Sequence, residues 1–371
     1  MGVGESGGGG AGYICPVMNN PPIKSYFDRS YMDVELRGMF SRGVRYVGHE
    51  LMVPSTDDYI VPAATQDRHI LFNRGDHHEV VSNVCLHRQA QLLSGSGKAK
   101  RITCKLHCWG YGTDGTLRTT PHFTGQRPAE GLERRALSNW GGLLFEGRPP
   151  RLDLAAEGLS EMLSFDGYFY AGTDSTVYNY NWKTFAEIYL DDYHVFAIHP
   201  GLRRYIDLND LAWSVGEDYS VQWAGMTKDI GRVGSPAFQA WHESLIRQFG
   251  TNLPRYGALW IYIYPNIMIE WYPHVTIIST IFPLAPQKCV NHMDYFYPRA
   301  VHDADLGYFD AAKEWLDEVA EEDAEACAQQ ERGRAALYKH GEEGGGPADP
   351  ALEKGVEEFY RFLSPMYQGM S

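Results

Sequence analysis

Two Cys-His pairs, Cys85-x-His87 and Cys104-x-x-His107, lie sixteen residues apart. Thiolates and imidazoles in two short loops can hold zinc or an iron–sulfur cluster. Cys/His zinc sites usually group two cysteines ahead of two histidines around a helix. Here each loop supplies one of each, and the intervening SGSGKAKRI is glycine-rich and leads into a strand-like run. Two sulfide-bridged irons need a ligand pair each, and a Cys₂ iron beside a His₂ iron uses this inventory. Zinc is the alternative on these residues alone.

A second group sits in NWKTFAEIYLDDYHVFAIHPGL, where His194 and His199 are five positions apart. That spacing is about 140° on an ideal helix, so both imidazoles can face one metal only if the helix unwinds locally. Pro200 supplies a reason for a break. Alone, such a pair is more often structural than metal-binding. Asp191, three residues before His194, is placed by helical spacing on the same face. A facial triad also needs a carboxylate, and Glu318, Glu321, Glu322, Asp323 and Glu325 crowd one downstream stretch. In IMIEWYPHV, Glu270, Trp271 and Tyr272 offer an aromatic cage with a counter-charge. Alternate residues of that strand also fit a sheet core.

These residues need elements to position them. After NPPIKSYFDRSYMDVELRGMFSRG, an amphipathic helical lead-in over 13–44, the text from 45 to 150 is strand-like. YVGHELMVP, YIVPAA, HILFNRGDHHEVVSNVC and GLLFEG are short β-rich runs divided by turn residues, and RPPRLD follows as a boundary. The remainder, 151–371, opens on a strand and the helix-like NWK segment. Strand-like runs from Tyr219 to Phe282 follow. A long helical stretch then places Leu306, Phe309, Leu316 and Val319 on one apolar stripe, and a last helix covers ALEKGVEEFYRFL. The fold class is α+β.

The chain has 371 residues, 44% apolar and 13% aromatic, enough for two packed domains. A formal charge of −14 argues against a nucleic-acid binder, although it suits a basic partner protein. Six cysteines do not make a disulfide scaffold and point to a reducing cytoplasm. No run of 18 apolar residues predicts a membrane span. MGVGESGGGGAG lacks the apolar core of a secretory signal. It matches a myristoylation pattern formally, through Gly2 and Ser6, but reads as a disordered glycine-rich tail over 1–12.

The Cys85, His87, Cys104, His107 pattern, with Trp109 and Tyr111 after it, resembles the Rieske motif of the aromatic-ring-hydroxylating oxygenases. The resemblance implies one iron on Cys85 and Cys104 and the other on His87 and His107. CLHRQA lacks the extra cysteine that forms a disulfide in respiratory Rieske proteins, which favours the lower-potential type and leaves Cys108 without a partner. Glu187, Asp191, His194 and His199, following Asn181-Trp182-Lys183, resemble the family's mononuclear-iron helix. Ile188 stands where the family often has Asn. EEDAEACAQQERG resembles the segment that supplies the carboxylate and points to Asp323.

What this implies is a terminal oxygenase: a small all-β Rieske [2Fe–2S] domain followed by a helix-grip catalytic domain with mononuclear Fe(II). Dioxygen would be the co-substrate. Electrons would come from an NAD(P)H-dependent partner reductase, in some members through a ferredoxin; the chain itself has no dinucleotide-binding glycine fingerprint. In the family an acid at the Asp191 position bridges one subunit's His107 equivalent to the next subunit's His194 equivalent, so a homotrimer is expected. The substrate expected is an aromatic or related ring compound, in a pocket that would include Ile188, Tyr189, Val195, Glu270 and Trp271. The alternative is a quaternary amine such as a betaine, since LLSGSGKAK resembles the choline- and carnitine-type monooxygenases. A Rieske electron carrier, the rival class, would have the cluster but no second iron.

Overall fold

The computed structural model describes residues 20–227 and 234–370; the glycine-rich tail expected over 1–12 lies outside them. The first half is built from ten short strands: β1 (Arg45–His49), β2 (Asp58–Ile60), β3 (His69–Asn73), β4 (His78–Ser82), β5 (Ser96–Lys98), β6 (Arg101–Thr103), β7 (Gly110–Gly112), β8 (Leu117–Thr119), β9 (Arg134–Trp140) and β10 (Leu143–Glu146). Seven form one antiparallel sheet in the order β1-β10-β9-β4-β3-β2-β5, and β6-β7-β8 form a small second sheet. Between the two sheets lies a compact core that includes Ile70, Phe72, Val81, Ile102 and Leu132.

The second half is one seven-stranded antiparallel sheet, β11 (Tyr168–Tyr178), β12 (Ile206–Val215), β13 (Tyr219–Met226), β14 (Tyr256–Ile263), β15 (Ile267–Tyr272), β16 (Val275–Ala285) and β17 (Lys288–Pro298), ordered β11-β17-β16-β15-β14-β13-β12. Its central strands read as near-continuous apolar runs because both faces are covered. One face carries Val221, Leu259, Ile261, Ile269 and Ile278 into a single core with Tyr46, Val47, Leu144 and Phe145 of the first half. The other face meets helices.

Those helices, after α1 (Arg29–Glu35), are α2 (Trp182–Tyr189), α3 (Val195–Ile198), α4 (Leu202–Tyr205), α5 (Pro236–Phe249), α6 (Arg299–Ala304), α7 (Leu306–His340) and α8 (Lys354–Tyr367). The strand-like reading of 219–282 did not separate out α5. Ser235 accepts from Phe238 N at 3.1 Å, Pro236 opens the helix, and Phe238, Trp241 and Leu245 repeat at helical spacing into the core. The 35 residues of α7 span about 52 Å. Gly341 stops it in the left-handed conformation, φ 68°. Phe309 is buried on its expected stripe, and Leu316 and Val319 are partly buried. Leu306 is 69% exposed, because it opens the helix before burial begins at Tyr308. Among the described residues no helix is long and apolar enough to cross a membrane.

α2 is fixed from behind by buried charges. Asn181 caps it, accepting from Lys183 N at 2.9 Å and donating to Tyr26 O and Pro286 O. Lys183 Nζ lies 2.6 Å from Glu35 Oε1 and donates to Ser25 O. Trp182 and Tyr367 complete the Glu35 carboxylate. Glu187 takes Arg334 and Tyr26, each at 2.5 Å. Ser25, Tyr26 and Glu35 of the lead-in therefore pack on the second half.

Candidate active site

The two Cys-His loops are built alike. Cys85 N donates to Ala90 O and Gln89 N to Cys85 O, while Cys104 N donates to Trp109 O and Cys108 N to Cys104 O, all at 2.9–3.0 Å. The residue four after each cysteine is left-handed, Gln89 at φ 55° and Cys108 at φ 57°. Cys108 thus holds a turn position and is exposed. Both turns tuck a thiol inward: Cys85 and Cys104 are 1% exposed. The imidazoles face each other across the loops, ring centroids 4.5 Å apart. Trp109 stacks on His87 at 4.8 Å, and Tyr111 Oη lies 3.2 Å from Cys85 Sγ. His87 Nδ1 is buried with no protein partner, which fits a metal-ligating nitrogen. His107 is exposed at the loop tip.

The second group also converges. α2 ends at Tyr189, and the chain turns through Leu190–Tyr193 before α3 begins. His194 stands at the start of α3. His199 ends it with φ −109° and ψ 72°, so its ring leaves the helical path just before Pro200. His194 Nε2, His199 Nε2 and Asp323 Oδ1 then sit 2.8–3.4 Å from one another. Among the described residues only this His/Cys/Asp/Glu group gathers its donor atoms within 4.8 Å. Donors about 3 Å apart are what one ion bonded to each at roughly 2.1 Å requires. Burial pulls the His194 imidazole down, but Asp191 and Asp323 outweigh it and push it up to about 10. Burial would raise the Asp323 carboxyl, yet the two imidazoles hold it below the ordinary value. The cradle favours positive charge, and its two imidazoles and one carboxylate suit Fe(II) with open positions. Glu322 faces the other side of the His199 ring, 2.6 Å from Nδ1.

Asp191 reaches His194 by a different route from the helical spacing expected. It lies in the turn, where Oδ1 accepts from Tyr193 N at 2.6 Å. Oδ2 is 3.3 Å from His194 Nδ1 without a formed hydrogen bond. The short side chain bonds its own turn, and this places the acid.

Below the triad is a cavity of about 130 Å³. Ile188, Tyr189, Val195 and Glu270 of the expected pocket line it; Trp271 does not. Side chains alternate along a strand, so Glu270 and Tyr272 face the cavity while Trp271 packs on the opposite face in the core shared with the first half. Trp260, directly across from Glu270 in the ladder, takes the place expected for Trp271. Its Nε1 donates to Tyr272 Oη at 3.0 Å, and Tyr272 donates to Glu270 Oε2 at 2.9 Å. Asn291, Met293 and Tyr295 also line the cavity and went unread, although their alternation on β17 marks one face.

The Rieske [2Fe-2S] domain model matches residues 33–130, and the model of the ring hydroxylating alpha subunit catalytic domain matches 165–369. The chain is 39% identical over 350 residues to a putrescine 2-hydroxylase of Ralstonia nicotianae, covering 94% of this chain and 96% of that one. It is 26% identical over 370 residues to the chloroplastic choline monooxygenase of Beta vulgaris, covering 94% and 77%. The solved structure of a quaternary ammonium Rieske monooxygenase, studied for carnitine oxidation, superposes with a TM-score of 0.75 at 18% identity, covering 95% and 96%. With a catalytic-domain match over more than half its length and a relative alike end to end, the chain belongs to the Rieske oxygenase alpha subunits, terminal oxygenases that carry a [2Fe–2S] cluster and a mononuclear iron.

Proposed function

We propose that this oxygenase hydroxylates a carbon of an aliphatic amine bearing N–H groups. Glu270 carries the reading: a carboxylate among aromatic rings, on the wall of the cavity that opens onto the triad. Burial raises its carboxyl to about 7, against the pull of the Tyr272 hydrogen bond. Ionising such a group is costly unless a cation meets it. A substrate ammonium supplies that charge, and Trp260 and Tyr272 add aromatic faces. An apolar ring compound would leave the carboxylate uncompensated. A quaternary ammonium satisfies the charge but brings no N–H to the buried, unpartnered hydroxyl of Tyr189. The likeness to a putrescine 2-hydroxylase and a choline monooxygenase supports an amine substrate.

In this reading Cys85 and Cys104 bind one cluster iron and His87 and His107 the other, while His194, His199 and Asp323 bind the mononuclear iron. When bound, the metals supply electron delivery and dioxygen activation. Glu322 accepts the Nδ1 proton of His199, which leaves the Nε2 lone pair facing the ion. Glu270 and the aromatic wall hold the substrate and exclude water. A reductase reduces the cluster, with or without a ferredoxin. Asp191 links His194 to His107 of a neighbouring copy in a homotrimer. The solved quaternary ammonium Rieske monooxygenase, studied for inter-subunit electron transfer, supports that wiring.

Turnover under ¹⁸O₂ with a surrogate reductase and NADH tests the proposal. A linear diamine should give a product carrying one ¹⁸O with NADH use matched to product. Uncoupled oxygen consumption with every amine, beside coupled turnover of an aromatic acid, would overturn it.

A further inference from the structure

The cavity has a second polar end. Asn291 is 2% exposed, lines the cavity, and its Oδ1 has no hydrogen-bond partner. It does not sit beside Glu270. Across the sheet Glu270 pairs with Ile277 and Ile277 with Tyr295, which puts Glu270 and Tyr295 two strands apart in one row. Asn291 lies four residues further along β17. Two strand spacings and four residue rises put the two Cα atoms roughly 16 Å apart on a flat sheet. His194, His199 and Asp323 line the same cavity as both ends. Tyr178 lines the cavity near Asn291 and stacks on Tyr180 at 5.1 Å.

From this geometry we infer that the cavity is a two-ended seat for a linear diamine. One ammonium is held at Glu270 and the other nitrogen at the Asn291 carbonyl, with the carbon chain passing the His194–His199–Asp323 face. The inference rests on the amine reading and adds the far end to it. A four-carbon diamine spans about 6 Å between nitrogens. Two hydrogen bonds of about 2.9 Å extend it to roughly 12 Å between acceptor oxygens. The remaining few ångströms are left to the lean of the two side chains along their strands and to the curl of the sheet. A buried acceptor left unpaired is costly, so the site favours a ligand with a donor at its far terminus over one ending in a methyl group. The rings of Tyr178 and Tyr180 suit a cationic terminus there. Asn291 is thus a specificity-determining residue that reads length and a second nitrogen.

The test is anaerobic calorimetry on iron-loaded holoenzyme with 1,4-diaminobutane and 1-aminobutane, for the parent, Asn291→Leu and Asn291→Asp. The parent should bind the diamine at least tenfold more tightly than the monoamine, because a hydrogen bond to a charged group is lost with the latter. Asn291→Leu should erase that ratio, weakening the diamine and easing the penalty on the monoamine's methyl end. Asn291→Asp, which keeps the shape and adds a charge, should widen the ratio and guards against a misfolded leucine variant. An unchanged ratio in both variants would overturn the far-end role yet leave the amine reading standing. If neither amine binds the parent, both readings are overturned.

Discussion

Two adjacent carboxylates on α7 divide the work at His199: Asp323 meets Nε2 and Glu322 meets Nδ1. Only an atom on the Nε2 side shares its space with His194, so the two acids should fail differently. Asp323→Ala should drop iron from about three per chain to about two with the cluster spectrum intact. Glu322→Gln should keep both metal sites but weaken mononuclear iron roughly 10- to 100-fold, the usual cost of losing a histidine's outer partner. Iron quantitation after graded chelation reads both, and the reverse ranking would reassign the ligand. The crowded acidic run gave no means of choosing between these neighbours from charge alone, and Asp323 was singled out only through the family resemblance. The approach of His87 to His107 was legible because each Cys-His pair closes its own short loop. Trp271 was misplaced because alternation says which residues share a face and not which face meets the substrate. Glu270 and Trp271 are adjacent, so one of them had to point away.

Behind the site, α2 carries Lys183 and Glu187 on its hidden side, each paired with an opposite charge taken out of water. Burial lowers the Lys183 ammonium against the pull of Glu35, so the pair is held by geometry more than by easy ionisation. Removing one partner of such a pair strands the other. Lys183→Met should therefore destabilise the protein by roughly 3–5 kcal/mol, and adding Glu35→Gln should restore much of it. Urea unfolding measures this; a loss under about 1 kcal/mol would show that water already reaches Glu35. The element also shows where sequence reading stops. The break between α2 and α3 was foreseeable from His194, His199 and Pro200. The partners of Lys183 lie about 150 positions away and are visible only once α1 and α8 have packed.

At the scale of the whole molecule, Asp191 separates wiring from ligation. It touches the imidazole of His194 from outside the donor set, with one oxygen committed to its own turn. Asp191→Asn keeps the shape and removes the charge, and charge-assisted bonds are about twice as strong as neutral ones. Cluster and mononuclear iron should stay, the reductase should still reduce the cluster, and oxygenation should fall by orders of magnitude. Rapid mixing of pre-reduced protein with amine and oxygen, following cluster reoxidation, checks this. Parental rates would remove Asp191 from the electron route. The core shared by the two halves, from Tyr46 and Phe145 through to Ile261 and Ile278, has a further consequence for that route. A cluster on a hinged arm can commute between a donor and several acceptors. The sheet that leads into the Cys-His loops shares its core with the second sheet, so a cluster held in those loops would keep one place, and any donor would have to come to it.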